Sequence, residues 1–128
     1  MIGKAIYKIL TDTPEFTAIA GNRVYPLRVA QGVALPAVAY QTISNSPTNC
    51  KEGDAGLDQK RVQLNIYAER YEQQEQLAGI IRQTLSGFSG TVSGTEIADI
   101  TYQTETDLHE NAAEIYFKAQ DYTITIKL

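Results

Sequence analysis

Between Lys60 and Gly87 the chain changes its hydrophobic period once, from two to about 3.6. Val62, Leu64, Ile66 and Ala68 alternate with Arg61, Gln63, Asn65 and Tyr67, the signature of a strand with one buried face. After a short polar break, Leu77, Ile80, Ile81, Thr84, Leu85 and Phe88 recur at helical spacing. Glu72, Gln73, Glu75, Gln76, Arg82 and Gln83 occupy the rest of that cylinder. This unit supplies a sheet face and a helix able to cover it, and no group in it is bound to do chemistry.

The flanking segments extend the pattern. Ile2, Ala5, Ile6, Ile9 and Leu10 form one helical stripe, with Lys4 and Lys8 opposite. Thr13-Pro14-Glu15 restarts a helix, with Thr13 as the expected cap and Pro14 at the first helical position. Gly21-Asn22 ends it, and Arg23 to Pro26 leaves in extended form. Residues 27–36 read as loop. Ala37–Ser44 reads as a strand covered on both sides or central in its sheet. Asn45–Gln59 is rich in Pro, Gly, Asn, Asp and Ser and reads as a long loop. Such a loop is a mobile hairpin tip, an arm that orders against another chain, or a ligand loop.

Beyond the central helix, Gly87–Thr95 reads as a glycine-rich turn around a short strand at Thr91-Val92. Ile97–Thr106 is a further strand, Asp107–Ala113 a polar turn, and Glu114–Leu128 the last strand. In that last strand Ile115, Phe117 and Ala119 have one parity, and Tyr122, Ile124, Ile126 and Leu128 the other. A bulge near Gln120-Asp121 would bring both sets to the core, and one is expected there. The resulting fold class is α+β: a mostly antiparallel sheet with helices packed on one face, in the order α-β-β-α-β-β. No internal repeat marks a second domain, so residues 1–128 read as a single domain.

Composition narrows the function rather than naming it. With 43% hydrophobic and 20% charged residues in 128, wholesale disorder is excluded and a real core is affordable. The formal net charge of −4 lacks the footprint of a general nucleic-acid binder. Cys50 is the only cysteine, so an internal disulfide is impossible. MIGKAIYKIL lacks the apolar core of a signal peptide and no run reaches membrane-spanning length, so a soluble cytoplasmic protein is expected.

No catalytic, cofactor or metal constellation emerges. His109 is the lone histidine, and Asp107 and Glu110 beside it fit an exposed turn better than a metal site. GFSGTVSGT lacks both the GK[ST] ending of a phosphate loop and the nucleophile elbow. Glu105 and Asp107 read as solvated strand-end charges. The eight tyrosines without a tryptophan are more suggestive, because Tyr67 and Tyr116 fall opposite the aliphatic rows of their strands. Tyrosine there suits either subunit contact or an ordinary half-buried sheet.

Several collinear motifs carry a family resemblance. Gly21-Asn22-Arg23-Val24-Tyr25-Pro26, Leu35 to Ser44, Val62 to Ala68, the helix Gln74 to Leu85 and Asp121-Tyr122-Thr123-Ile124 resemble the tail-completion family of long-tailed bacteriophages over nearly the whole chain. The resemblance implies a structural assembly protein without catalytic residues or cofactors. It implies a ring, typically six-membered, that ends tail-tube growth and meets the head connector. A subunit that is monomeric in isolation is compatible with it. The implied partners are the chain itself, the tail tube protein and the head connector protein, with no membrane and no sequence-specific nucleic acid. The implied location is the virion, at the head–tail interface, after assembly in the host cytoplasm, from a virion or a prophage gene. Arg23, Tyr25 and Pro26 match the family pattern as fold-defining residues.

Expected partner-contact residues lie in the long loop: Asn49, Lys51, Glu52, Asp54, Leu57 and Asp58. Expected subunit contacts are Arg61, Gln63, Tyr67 and Tyr116. The rival reading is a small-molecule or protein-binding module that uses the sheet face, which requires a deep apolar pocket.

Overall fold

A computed structural model describes residues 2–29, 32–50, 53–110 and 115–127, apart from the side chains of 47–50, 53–55 and 109–110. The elements run α1 (Ile2–Thr11), α2 (Pro14–Ala20), β1 (Val24–Pro26), β2 (Ala37–Cys50), β3 (Gly53–Ala68), α3 (Tyr71–Leu85), β4 (Gly90–Val92), β5 (Thr95–Glu110) and β6 (Ile115–Lys127). The six strands form one sheet in the order β1-β2-β3-β6-β5-β4. The fold is α+β, but the sheet is mixed rather than of the mostly antiparallel kind expected. β1 joins β2 in parallel, because Arg23–Pro26 and Ala37 are separated by a connection long enough to return the chain to the same end. The other ladders are antiparallel.

The apolar stripes meet as their periods require. Ile6 and Leu10 of α1, Phe16 of α2, Leu77, Ile81 and Leu85 of α3, and Val62, Leu64 and Ile66 of β3 belong to one buried cluster. Ile97, Ile100, Tyr122 and Ile124 extend it across β5 and β6. Thr13 does not cap α2 with its side chain; its hydroxyl donates to the Ile9 carbonyl at 2.9 Å. Its backbone carbonyl accepts instead from the Phe16 and Thr17 amides. Gly21 closes α2 at φ 59°, a backbone angle that L side chains adopt rarely. Arg23 then ties the turn down, donating from Nε to the Pro36 carbonyl at 2.9 Å and from Nη2 to Ile19 at 3.2 Å.

Three sequence expectations need correction. Asn45–Gln59 is a hairpin rather than a loop: β2 and β3 stay paired from Ala37↔Tyr67 out to Cys50↔Gly53, with Lys51 and Glu52 outside the described residues. Its turn-forming letters are tolerated because most of this ladder lies beyond the core, where no apolar face is demanded. Similarly, Asp107–Glu110 continue β5 instead of turning, while 111–113 lie outside the described residues. Finally, β6 carries no bulge. Its register with β3 is unbroken from Leu57↔Lys127 to Ala68↔Tyr116, and the shifts fall in β5, at Ala98 and Gln103. Ile115, Phe117 and Ala119 therefore stay on the outer side, and Lys118 and Gln120 are the residues buried.

Candidate functional site

Two features organise the surface: the β2–β3 hairpin, which leaves the core at one end of the sheet, and a charged cage towards the other end. β1 covers β2 only at Val38–Tyr40, and β4 covers β5 only at Thr95–Ile97. Through the registers these short strands lie near Ile66 and Asp58 of β3, roughly 25 Å apart at about 3.3 Å per residue. The β2–β3 hairpin extends past Lys127, the last described residue of β6, at one end of the sheet. At the other end the described part of the β5–β6 ladder passes Ala68 by the single pair Glu110↔Ile115.

The expected contact residues divide between these regions. Asn49 and Asp54 face each other near the β2–β3 tip, and Lys51 and Glu52 lie outside the described residues. Leu57 is in register with Thr48 and Lys127, and Asp58 with Pro47 and Ile126. Asp58 also accepts from Asn45 Nδ2 at 3.4 Å. The hairpin thus brings four of the six positions into one ladder, though not as a loop.

On the outer face, Arg61 and Gln63 converge on Asp121. Arg61 Nη2 donates to Oδ2 at 3.0 Å and Gln63 Nε2 to Oδ1 at 3.1 Å, so each carboxylate oxygen has one partner within the subunit. Tyr67 stacks on Phe117 with ring centroids 5.3 Å apart, and burial raises the pKa of its phenol. Leu108, 43% exposed, continues that row on β5, in register with Phe117. Tyr116 is elsewhere. It is in register with buried Ala68 and packs edge-on against Tyr71 of α3 at 5.8 Å, so it belongs to the helix side. The missing β6 bulge is the reason.

The cage is what the sequence reading missed. Lys118 is 3% exposed, and its Nζ lies 2.6 Å from Glu75 Oε1, 2.9 Å from Glu105 Oε2 and 2.9 Å from Asp107 Oδ1. Glu105 and Asp107 are therefore not free strand-end charges. Tyr102 donates to Glu105 at 2.8 Å, Tyr71 to Asp107 at 3.0 Å, and Gln120 Nε2 to both Ala78 O and Glu105. Tyr122 donates to Gln120 Oε1 at 3.0 Å, and the Arg82 guanidinium lies 3.9 Å from the Tyr102 ring centroid. Burial disfavours the ammonium of Lys118, but hydrogen bonds to the three carboxylates outweigh it and raise its pKa. Burial likewise opposes ionisation of Glu105, yet bonds from Lys118, Tyr102 and Gln120 hold its pKa below the usual range. The Lys118 bond lowers Asp107 most, against some desolvation. Burial also pushes Tyr122 well up. The legible signal was Glu105-x-Asp107 on one strand facing a lysine at an inward position of the next.

This arrangement holds charge in place; it contains no nucleophile with a base. Among the described residues no group of His, Cys, Asp and Glu could hold a metal ion, and no helix is long and apolar enough to cross a membrane. Two grooves, of about 350 and 340 Å³, flank Tyr40 and share Gly3 and Pro26. Lys4 and Lys8 are the charged residues lining them.

The model of the family described as "Tail completion protein gp17" matches residues 4–127. The chain belongs to that family. Membership gives it a structural part in tail assembly. The fold is also similar to a solved chain described as "Virion of native gene transfer agent (GTA) particle", with a TM-score of 0.84 at 12% identity. That match covers 99% of this chain and 95% of the other. No curated protein matches the sequence.

Proposed function

We propose that this tail-completion chain acts as a single-domain ring subunit that ends growth of the tail tube and joins the tail to the head. Its work is binding rather than catalysis. The ring, six-membered by family resemblance, meets the tail tube protein on one side and the head connector protein on the other. It is a component of the virion, put together in the bacterial cytoplasm from a phage or prophage gene. The family match across residues 4–127 is the observation that carries this reading. A similar fold within a virion particle is consistent with it.

The projecting β2–β3 hairpin suits such a role, because a ring subunit must reach neighbours beyond its own core. We assign partner contact to the β2–β3 hairpin, where Asn49, Lys51, Glu52, Asp54, Leu57 and Asp58 lie, and subunit contact to the outer row of Arg61, Gln63 and Tyr67. Electron microscopy of tails assembled with and without the protein tests the function. Tails without it should be overlong or headless; tails of normal length that join heads would overturn it. Deleting residues 48–57 tests the hairpin alone, and normal particles from that variant would remove the hairpin from the account.

A further inference from the structure

The sheet is open on both flanks, and the openings are complementary. On the β1 flank, β2 has no strand beside Gln41–Cys50 among the described residues. On the β4 flank, β5 has none beside Thr101–Glu110, and just before that run the Ile100 carbonyl accepts from the Gly87 amide at 2.8 Å. A strand edge left open presents unpaired amides and carbonyls, and proteins usually shield such edges. Here Thr42 to Ser46 of β2 and Gln103 to Leu108 of β5 are all exposed. The exposed β2 run carries no charged residue that would repel a pairing strand.

Direction and position agree as well. β2 is antiparallel to β3, β3 to β6, and β6 to β5, so β5 runs antiparallel to β2. A second copy placed beside the first in the same orientation therefore offers β5 to β2 as an antiparallel strand. At equal height the closed portions would intrude, because β1 blocks β2 near the Ile66 level, where β5 is open, and β4 blocks β5 near the Asp58 level, where β2 is open. Each open half extends towards the end that the other flank has closed. Sliding one copy along the strand direction by about six residues, roughly 20 Å, clears both short strands and sets the open halves side by side, and strands tilted to a ring axis supply such a stagger.

Resting on the ring reading, we propose that neighbouring subunits join edge to edge, the open half of β2 in one copy pairing with the open half of β5 in the next. The contact is heterologous, as a closed ring requires, because two different edges of one chain meet. The bulges at Ile43 and Gln103 limit the uninterrupted runs to those that start at Ser44 and Thr104. They thereby discourage indiscriminate strand stacking while leaving one geometry open.

Cysteine cross-linking in assembled rings tests this. In a Cys50→Ser background, Ser44→Cys is combined in turn with Thr104→Cys, Thr106→Cys and Leu108→Cys, the positions that the slide brings opposite it. Under oxidation at least one pair should give a covalent ladder of dimers and higher multimers, whereas each single-cysteine variant should stay monomeric on a denaturing gel. Hydrogen exchange should slow at the β2 and β5 edge amides when the ring forms. Rings visible by electron microscopy without any ladder, and without that protection, would overturn edge pairing and leave the ring intact. Cross-links from Ser44→Cys to the tail tube protein instead of a second copy would also overturn it. A protein that forms no ring, alone or on tails, would remove the ring reading and this inference with it.

Discussion

The Tyr40 ring lies across the first turn of α1 at Gly3, so close that a Cβ on Gly3 would stand 2.7 Å from its Cε2 and its hydroxyl oxygen. The glycine is there for space, since no positive φ is involved. Gly3→Ala must displace the tyrosine into the neighbouring grooves. We expect a net loss of about 1 kcal/mol, the low end for overpacking, because the ring tip can move. In a Tyr40→Leu background the sign should reverse, since alanine exceeds glycine in a helix by about 0.5 kcal/mol. Urea midpoints of the four variants check this, and a loss that persists without the ring would refute the steric account.

Lys118 should be the most costly single charge to remove. Lys118→Ala leaves Glu75, Glu105 and Asp107 facing one another without their shared cation. Breaking a buried pair costs about 3–5 kcal/mol, and the lower figure applies here because the carboxylates reach solvent. The pH dependence follows from the directions of the shifts. Glu105 and Asp107 have depressed values, so their contribution is present above the ordinary carboxylate range and is lost as pH falls through the folded-state values. Lys118 has a raised value, so its contribution is complete below the ordinary lysine value and is lost only as pH rises past it. Stability should therefore hold a plateau between roughly pH 5 and 10, where both conditions are met. Denaturation of wild type and Lys118→Met across pH should show the acid-side slope reduced in the variant.

Gln74 invites the opposite change. Its side chain is fully buried in α3, and neither amide atom has a partner among the described residues. An unsatisfied buried amide costs about 1–3 kcal/mol. Gln74→Met, of similar length and good helix propensity, should stabilise the chain by ~1 kcal/mol. At about 2–4 °C per kcal/mol, a differential scan would register the gain. A lower melting temperature would mean that the amide is satisfied in solution.

The Tyr67–Phe117 stack should couple across β3 and β6. A double-mutant cycle on Tyr67→Ala and Phe117→Ala should give about 0.5–1.5 kcal/mol in the isolated chain. A cycle near zero would show that the two rings pack independently of each other.

These residues also show how far the letters could be read. The α1 stripe, the β3 alternation and the apolar row of α3 were legible because each is amphipathic over several turns or residues. The hairpin outside the core was not, because a ladder without a buried face has no period to display. The β6 error has a related cause. Placing Phe117 inward and Lys118 outward follows ordinary hydrophobicity, yet three carboxylates on β5 and α3 make the lysine the residue that can be buried. Parity could not reveal partners supplied from 11, 13 and 43 residues away in sequence. β1 was read as extended chain but not as a strand, since three residues carry too little pattern.

The uninterrupted β3–β6 register has a mechanical consequence. The same β3 strand that places Leu57 and Asp58 towards the hairpin buries Val62, Leu64 and Ile66 in the core, with no break in its pairing to β6 between them. A load that reaches Leu57 is therefore borne along a stiff beam, while the break in β3 lies beyond it at Ala55-Gly56, where the β2–β3 register shifts and Gly56 takes φ 76°. Whatever grips Leu57 or Asp58 pulls directly on the core, and the position of that stretch is set by the core's own rigidity.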